Sequence, residues 1–176
     1  MATFYYDLGS PYAWLTAERI RGATWVPVLL GGIFHVTGRS SWGFTDGREE
    51  GMAEVERRSA DRGLPPVRWP DPWPNDGLTA MRAAAFADSE RFALEAFRIH
   101  FVDGLALSDP ANVGLAAERA GLDADEVLAA AADPAVKLKL RENTERALAE
   151  GVTGIPSLVR PGGEVLWGDD VIPDGP

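Results

Sequence analysis

Ser10 has the setting that most favours chemistry in this sequence. It follows the turn composition Asp7-Leu8-Gly9 and precedes Pro11, a residue favoured at the first position of a helix. A serine in this place can cap the helix by accepting a backbone N–H, or its hydroxyl can donate a hydrogen bond to an anionic group bound there. From spacing alone, the cap is the favoured interpretation.

Composition removes several classes of chemistry from consideration. The 176 residues include no cysteine, and the two histidines, His35 and His100, lie far apart in sequence. Thiolate metal sites, cysteine nucleophiles and protein disulfide chemistry are therefore excluded, and we expect no metal. The formal net charge of −10 disfavours partners that bind through their phosphates, so we also expect no nucleic-acid partner.

The N-terminal segment has the pattern strand, helix, strand. Thr3–Tyr6 is rich in β-forming residues and predicts a buried strand, and Tyr12–Arg21 predicts a helix. Thr24–Leu30 predicts a second strand that Gly31-Gly32 closes, and its Pro27 indicates an edge or an end of the sheet. A short crossover of this kind predicts that the two strands are parallel.

A helical block and a hairpin follow. Between about residues 48 and 151, apolar side chains recur at spacings of three or four, and Asp109-Pro110 and Asp133-Pro134 mark two helix starts. Ser157–Arg160 and Glu164–Trp167 are apolar runs joined by a Pro-Gly-Gly turn. They predict a β-hairpin that completes the sheet.

This order of elements predicts an α/β protein with a thioredoxin-like fold and an inserted all-helical domain. We assign residues 1–42 and 150–176 to a discontinuous thioredoxin-like domain, and residues 43–149 to the insert. We expect the helix that ends such a fold to be truncated or absent, because Pro173–Pro176 cannot form a helix of useful length.

The sequence also bears on location. Its first residues lack the basic region and the apolar run of a secretion signal, and no stretch of about 20 uncharged apolar residues occurs. We therefore expect a cytoplasmic protein with no membrane partner.

Four stretches resemble the 2-hydroxychromene-2-carboxylate isomerase and kappa-class glutathione transferase family, a branch of the DsbA-like thioredoxin proteins. Phe4–Leu15 is similar to the opening strand and active-site turn of that family, and Pro27–Gly38 to its second strand and the segment after it. Glu54–Asn75 resembles the first insert helix and loop. Gly151–Ser157, followed by Trp167–Asp170, resembles the cis-proline loop and the γ-glutamyl contact.

The resemblance implies a catalytic role for Ser10. It stands where a redox relative would carry cysteine, and its hydroxyl would donate to the sulfur of bound glutathione or of another low-molecular-weight thiol. A free thiol, with a pKa of about 8.5, is mostly protonated at neutral pH, and hydrogen-bond donors lower that pKa. Ser10 would thus help to keep the nucleophile ionised.

The resemblance also implies which residues hold the thiol. Pro11 belongs to the active-site turn, and the Ile155-Pro156 bond would be cis in a loop whose backbone pairs with an extended ligand, although about 95% of X-Pro bonds are trans. Asp169 and Asp170 would contact the α-amino group of the γ-glutamyl unit. A solvated acidic turn is the alternative for Asp169, and Asp170 is the favoured contact.

Two positions depart from the pattern of the family. Where relatives carry lysine followed four residues later by asparagine, this chain has His35 and Arg39. Arg39 can pair with a carboxylate and so could hold the glycine end of the ligand. We interpret His35 as a surface or packed histidine.

Aromatic residues in loops provide candidate contacts for a small aromatic or electrophilic substrate. The predicted substrate-binding residues are Tyr12, Trp42, Trp73 and Asn75. An aromatic ligand stacks readily on such side chains. The alternative is that the tryptophans cover the gap between the sheet and the insert, which is our interpretation of Trp69.

The resemblance implies a glutathione-dependent isomerase in which the thiolate adds reversibly to a conjugated aromatic acid. One alternative is a kappa-like transferase that conjugates the thiol to an electrophile, and another is a thioredoxin-fold binding protein without catalysis. The thiol acts as a covalent catalyst in the first case, splitting a difficult bond rotation into easier steps. Members of the family are commonly dimers, so a homodimer is also implied.

Overall fold

Both ends of the chain contribute to the sheet. In the computed structural model, which describes residues 1–175, β1 (Ala2–Tyr6) pairs parallel with β2 (Ala23–Pro27) and antiparallel with β3 (Ser157–Val159). The third strand pairs antiparallel with β4 (Val165–Trp167), so that the strand order is β2-β1-β3-β4. The predicted parallel unit, the edge position of the second strand and the C-terminal hairpin are therefore confirmed.

Helices occupy most of the chain between these strands. A short 3₁₀ helix, Trp42–Phe44, precedes the long helical block. The helices of the described residues are α1 (Pro11–Ala17), α2 (Leu30–Thr37), α3 (Arg48–Asp61), α4 (Leu78–Ala87), α5 (Glu90–Phe101), α6 (Pro110–Ala120), α7 (Ala124–Ala130) and α8 (Pro134–Ala149).

The two predicted helix starts are confirmed, and their chemistry is visible. Asp109 accepts the N–H of Ala111 at 2.9 Å, and Asp133 accepts the N–H of Ala135 at 2.7 Å. In each helix a proline occupies the first position, where a missing N–H costs nothing. The carboxylates satisfy N–H groups that have no partner within the helix.

The expected boundaries around the second strand were wrong. The strand ends at Pro27 rather than at Leu30, and Gly31-Gly32 lie inside α2 instead of closing the strand. A side chain distant in sequence explains the difference: the Asp7 carboxylate accepts the N–H of Leu30 at 2.8 Å and so supports the first turn of α2.

The first helix is shorter than expected, because it ends at Ala17 rather than Arg21. Beyond the helix, the N–H of Arg21 donates to the carbonyl oxygen of Asp174 at 3.1 Å. This N–H therefore bonds to the C-terminal segment of the protein instead of extending α1. Within residues 1–175 no helix follows β4, which agrees with the expected loss of the terminal helix. Pro176, which the predicted thioredoxin-like domain includes, lies outside the described residues.

The sheet and the helical block share one apolar core. Phe4 and Trp25 of the sheet meet edge to face at 5.1 Å, and Tyr6 contacts Phe97 of α5 at 5.9 Å between ring centres. The division at residues 42 and 150 stays a prediction. Over the described part of the chain, no helix has the length and apolar character that a membrane crossing requires.

His100 on α5 is a buried histidine outside the sheet. Only 1% of it is exposed, and its Nδ1 lies 3.1 Å from the carbonyl oxygen of Leu105, which can only accept. Burial lowers the pKa of His100 to about 4, against the smaller opposing effect of this hydrogen bond. The imidazole is therefore neutral in the folded protein at neutral pH.

We expect His100 to make the protein less stable in mild acid. Its unfolded-state pKa is about 6.5, so its contribution is complete above that pH and declines as the pH falls toward 4. The free energy of unfolding by urea should fall by about 2 kcal/mol more in wild type than in His100→Asn between pH 7.5 and pH 5. The asparagine amide keeps a donor for Leu105, and equal pH dependence of the two proteins would contradict the assignment.

Candidate functional site

A cavity of about 430 Å³ opens where the two ends of the sheet meet the start of the helical block. Its wall comes from the turn before α1 and the first residues of that helix, from α2 and the segment after it, from the 3₁₀ helix, from α3 and the loop beyond it, and from the C-terminal hairpin with its flanking loops. It brings together every predicted site residue except Asn75: Ser10, Pro11, Tyr12, Arg39, Trp42, Trp73, Ile155, Pro156, Asp169 and Asp170.

Ser10 combines the two roles that the sequence left as alternatives. It is 4% exposed, and its Oγ accepts the N–H of Ala13 at 3.2 Å, as a helix cap does. Among the described residues its hydroxyl proton has no acceptor, although Ser10 lines the cavity. A hydroxyl can accept and donate at once, so the cap leaves a donor for a bound anion.

Asp7 fixes the turn that carries Ser10. One carboxylate oxygen accepts the N–H of Gly9 and the other accepts the N–H of Leu30, both at 2.8 Å, and the Asp7 carbonyl accepts the N–H of Ser10 at 3.0 Å. Burial raises the pKa of Asp7, against the opposing effect of the two backbone donors. The side chain thereby joins the turn before α1 to α2.

The loop before β3 presents free backbone to the cavity. The Ile155–Pro156 bond is cis, as the resemblance implied. Within residues 1–175 neither the N–H nor the carbonyl of Ile155 has a hydrogen-bond partner. Pro156 is tied by its carbonyl to the N–H of Gly168 at 3.0 Å, which couples this loop to the turn that carries the acidic pair.

The two neighbouring aspartates have different surroundings. The side chain of Asp169 is 1% exposed and pairs with Arg58 Nη1 at 2.5 Å and with Arg62 Nη2 at 2.6 Å. The side chain of Asp170 is 65% exposed, and its nearest cation, Arg58 Nη1, is 3.9 Å away. The protein itself neutralises Asp169, so Asp170 is the carboxylate that remains available to a ligand.

Arg39 lies over two aromatic rings at the cavity. Its guanidinium carbon is 4.6 Å from the ring centre of Trp167 and 5.7 Å from that of Phe34. The indole of Trp167 rests on Gly154, where an added Cβ would stand 2.5 Å from its Nε1. His35 is exposed and does not line the cavity.

Aromatic rings form one wall of the cavity. Trp42 lies 4.9 Å from Trp73 and 6.2 Å from Tyr12, measured between ring centres. Burial raises the pKa of Tyr12, against the lowering effect of nearby Arg58, so that its phenol is protonated at neutral pH and can donate a hydrogen bond.

Trp69 and Asn75, which the sequence analysis considered together with the aromatic residues, do not line the cavity. Trp69 packs behind Trp73 at 4.6 Å, and its indole N–H donates to Glu56 at 2.8 Å. Asn75 does not line the cavity, and its amide donates to the carbonyl of Pro72 at 2.9 Å.

Sequence reasoning did not identify Arg58 as a site residue. Its spacing from Glu54 is that of an ordinary helix-surface ion pair, and the two side chains do meet at 2.7 Å. Its contacts with Tyr12 and Asp169 join positions far apart in the chain. The sequence holds no local signal for such contacts.

Both the sequence and the fold of this chain are similar to those of known proteins. A family described as the DsbA-like thioredoxin domain matches residues 2–174. A solved 2-hydroxychromene-2-carboxylate isomerase (HCCA isomerase) superimposes with a TM-score of 0.80 at 20% identity, covering 96% of this chain and 89% of that chain. A Streptomyces coelicolor protein described as a "probable DsbA oxidoreductase" has a TM-score of 0.76 at 20% identity, covering 96% and 83%. No curated protein matches the sequence.

We expect Gly51→Ala to disturb the aromatic wall. The ring of Trp42 lies against α3 at Gly51, where a new Cβ would stand 2.4 Å from Trp42 Cε3. Urea unfolding should show a loss of about 1–3 kcal/mol, accompanied by a shift in tryptophan emission. Gly31→Ala in α2 is the matched control, because its Cβ would meet nothing within 4 Å and should raise stability slightly. Two variants of equal stability would contradict the packing described here.

Proposed function

The chain belongs to the DsbA-like thioredoxin family, and from that premise we propose that it binds glutathione, or another low-molecular-weight thiol, with the sulfur at Ser10. We propose further that it is an enzyme that uses this thiol to isomerise a conjugated aromatic acid. The solved structure of HCCA isomerase, which shares the fold, supports the choice of reaction. The absence of cysteine from the sequence supports a ligand-borne thiol over a redox-active pair in the protein.

The observation that carries the proposal is the unused hydroxyl proton of Ser10 in a cavity that also contains the cis-proline loop. A thiolate bound there receives a hydrogen bond that its protonated form does not need, and this difference lowers the thiol pKa. The N–H of Ala13, 3.2 Å from Ser10 Oγ, occupies one acceptor position of that oxygen and leaves the hydroxyl proton free to donate to a ligand. The serine therefore favours the nucleophilic form without reacting itself.

The other groups of the cavity match the remainder of a glutathione molecule. The free N–H and carbonyl of Ile155 suit the extended peptide backbone of such a ligand. Asp170 suits the α-ammonium group of the γ-glutamyl unit, and Arg39 suits the carboxylate of the glycine end. Each end of the thiol thus meets a group of opposite charge.

The aromatic wall suits the second reactant. A planar conjugated acid would stack against Trp42 and Trp73. The thiolate would add to the conjugated double bond, forming a C–S bond and moving the electron pair onto the conjugated carbonyl. Rotation about the resulting single bond and loss of the thiolate would restore the double bond in the other geometry. Tyr12, protonated at neutral pH, can donate to the oxygen on which charge develops.

Ser10→Ala should raise the pKa of bound glutathione by about one unit or more, since a hydrogen bond to a charged group is typically worth that much. Thiolate absorbance in a glutathione titration at constant pH reports this change. Ser89→Ala is a matched control, because Ser89 caps α5 through Phe92 at 3.2 Å and does not line the cavity. Both variants should lose about 1 kcal/mol of stability, and only the first should lose thiolate. Failure of wild type to bind glutathione would exclude this thiol.

The reaction is expected to leave the amount of thiol unchanged. Wild type is incubated with glutathione and a conjugated aromatic hydroxy acid. The absorbance of the acid should show that a new isomer forms, and a thiol assay should show that the concentration of free thiol stays constant. Consumption of one thiol for each molecule of substrate would indicate conjugation, as a transferase performs. Thiol binding without a reaction on any such acid would favour a binding protein.

A further inference from the structure

Arg58 brings a positive charge to the aromatic wall of the cavity. Among the described residues that line the cavity, Arg39 and Arg58 are the positively charged ones. Arg39 lies over Trp167 of the hairpin, with its guanidinium carbon 4.6 Å from the ring centre. The guanidinium carbon of Arg58 is 5.4 Å from the ring centre of Tyr12, and that ring is 6.2 Å from Trp42. Arg58 is therefore the cation beside the rings on which a planar ligand would stack.

Part of the hydrogen-bonding capacity of Arg58 is unused. Its Nε donates to Glu54 at 2.7 Å, and its Nη1 donates to Asp169 at 2.5 Å. Within residues 1–175, Nη2 has no hydrogen-bond partner. A guanidinium stays charged at physiological pH, and its N–H groups suit the oxygens of a carboxylate. Nη2 can thus bind an anion while Arg58 keeps both of its partners in the protein.

Two carboxylates hold this guanidinium in place before any ligand binds. Asp169 is buried and is also paired with Arg62, and loss of its contact with Arg58 would leave that buried charge less well compensated. Glu54 lies one helical turn before Arg58 on α3 and holds the other edge of the group. A donor held from two sides loses little conformational entropy when it binds an anion, which favours affinity.

Asp170 is the nearby group that opposes a second anion. Its Oδ1 is 3.9 Å from Arg58 Nη1, the nitrogen that already donates to Asp169. The side chain of Asp170 is exposed, so solvent screens its charge and the repulsion is weak. In the proposed complex the ammonium group of the thiol neutralises Asp170. A bound thiol therefore favours an anion at Nη2.

We propose that Arg58 determines specificity for the second reactant, because its free Nη2 binds the carboxylate of a conjugated aromatic acid whose planar part stacks on Trp42 and Trp73. The inference rests on the proposed function, in which such an acid is the substrate. The contact that selects an acid also anchors one end of the molecule, which limits where its double bond can lie relative to the thiol. A neutral electrophile of similar shape lacks this contact and binds more weakly.

The test compares two planar conjugated ligands of nearly equal shape, trans-cinnamate and its neutral amide, trans-cinnamamide. Calorimetric titrations at neutral pH without a thiol measure binding alone. Wild type should bind cinnamate about tenfold more tightly than cinnamamide, the usual effect of a charge-assisted hydrogen bond. Arg58→Gln should weaken cinnamate by about tenfold and leave cinnamamide near its wild-type affinity, because stacking on the rings remains.

Arg57→Gln is the matched control for Arg58→Gln. Arg57 is the neighbouring arginine and also pairs with Glu54, at 2.8 Å, but it does not line the cavity, so the preference for cinnamate should be unchanged. Arg39→Gln removes the other cation of the cavity and should also keep the preference. Arg58→Gln removes a partner of buried Asp169, and its retained affinity for cinnamamide shows that the aromatic wall is intact. Arg58→Lys keeps a positive charge and should keep part of the preference, which a purely structural role of Arg58 would not predict.

The outcomes separate this inference from the proposed function. Equal affinity of wild type for the two ligands, or a preference that survives in Arg58→Gln, overturns the role of Arg58, while saturable glutathione binding with thiolate absorbance keeps the thiol at Ser10. Loss of the preference in Arg39→Gln alone assigns the carboxylate to the other cation and also overturns the inference. A preference that depends on Arg58 in a protein that binds no glutathione supports the carboxylate site and excludes glutathione.

Discussion

The ion pairs of Asp169 connect the parts of the molecule on which the cavity depends. This buried carboxylate lies in the turn after β4 and pairs with Arg58 of α3 and with Arg62 at the C-terminal end of that helix, while Arg19, just beyond α1, donates to the backbone carbonyl of Asp169. Leaving a buried carboxylate without a partner costs free energy. The turn after β4 is therefore held close to α1 and α3, where the arginines can reach Asp169. The serine turn, the helical block and the acidic pair are thereby kept in one arrangement. Arg19 also pairs with Asp174 at 2.6 Å, which secures the segment beyond the turn.

Much of this arrangement could be predicted from local sequence. The apolar spacing of three or four residues, the Asp-Pro helix starts and the Pro-Gly-Gly turn each express a short-range preference, and the corresponding elements formed as predicted. Ser10 as a helix cap belongs to the same class, because Pro11 and the turn before it are local signals. Gathering Ser10, Arg39 and the acidic pair at one cavity needed the family resemblance, since these positions are far apart in the chain.

What escaped prediction depends on contacts between distant residues. Two successive glycines, Gly31 and Gly32, suggest a break after the second strand. Leu30 nevertheless begins α2, because Thr144 accepts the N–H of Leu29 and Asp7 accepts the N–H of Leu30. The arginines in and just after α3 have the spacing of a solvated helix surface, yet Arg58 and Arg62 pair with a carboxylate more than a hundred residues away. Asn75 was predicted to bind substrate because it lies in a stretch that resembles the family. Its amide instead donates to the nearby carbonyl of Pro72, and the side chain does not line the cavity.

The serine at the head of α1 also determines how the turn before that helix responds to oxidants. Peroxide converts a reactive cysteine through sulfenic to sulfinic and sulfonic acids, and the later steps destroy its function, whereas a hydroxyl has no equivalent ladder. The sulfur of Met81, which accepts the N–H of Leu8 just before this turn, is shielded because the residue is only 2% exposed. The turn before α1 is therefore intrinsically resistant to peroxide, and under the proposed function oxidative stress would act on the site through the supply of reduced thiol.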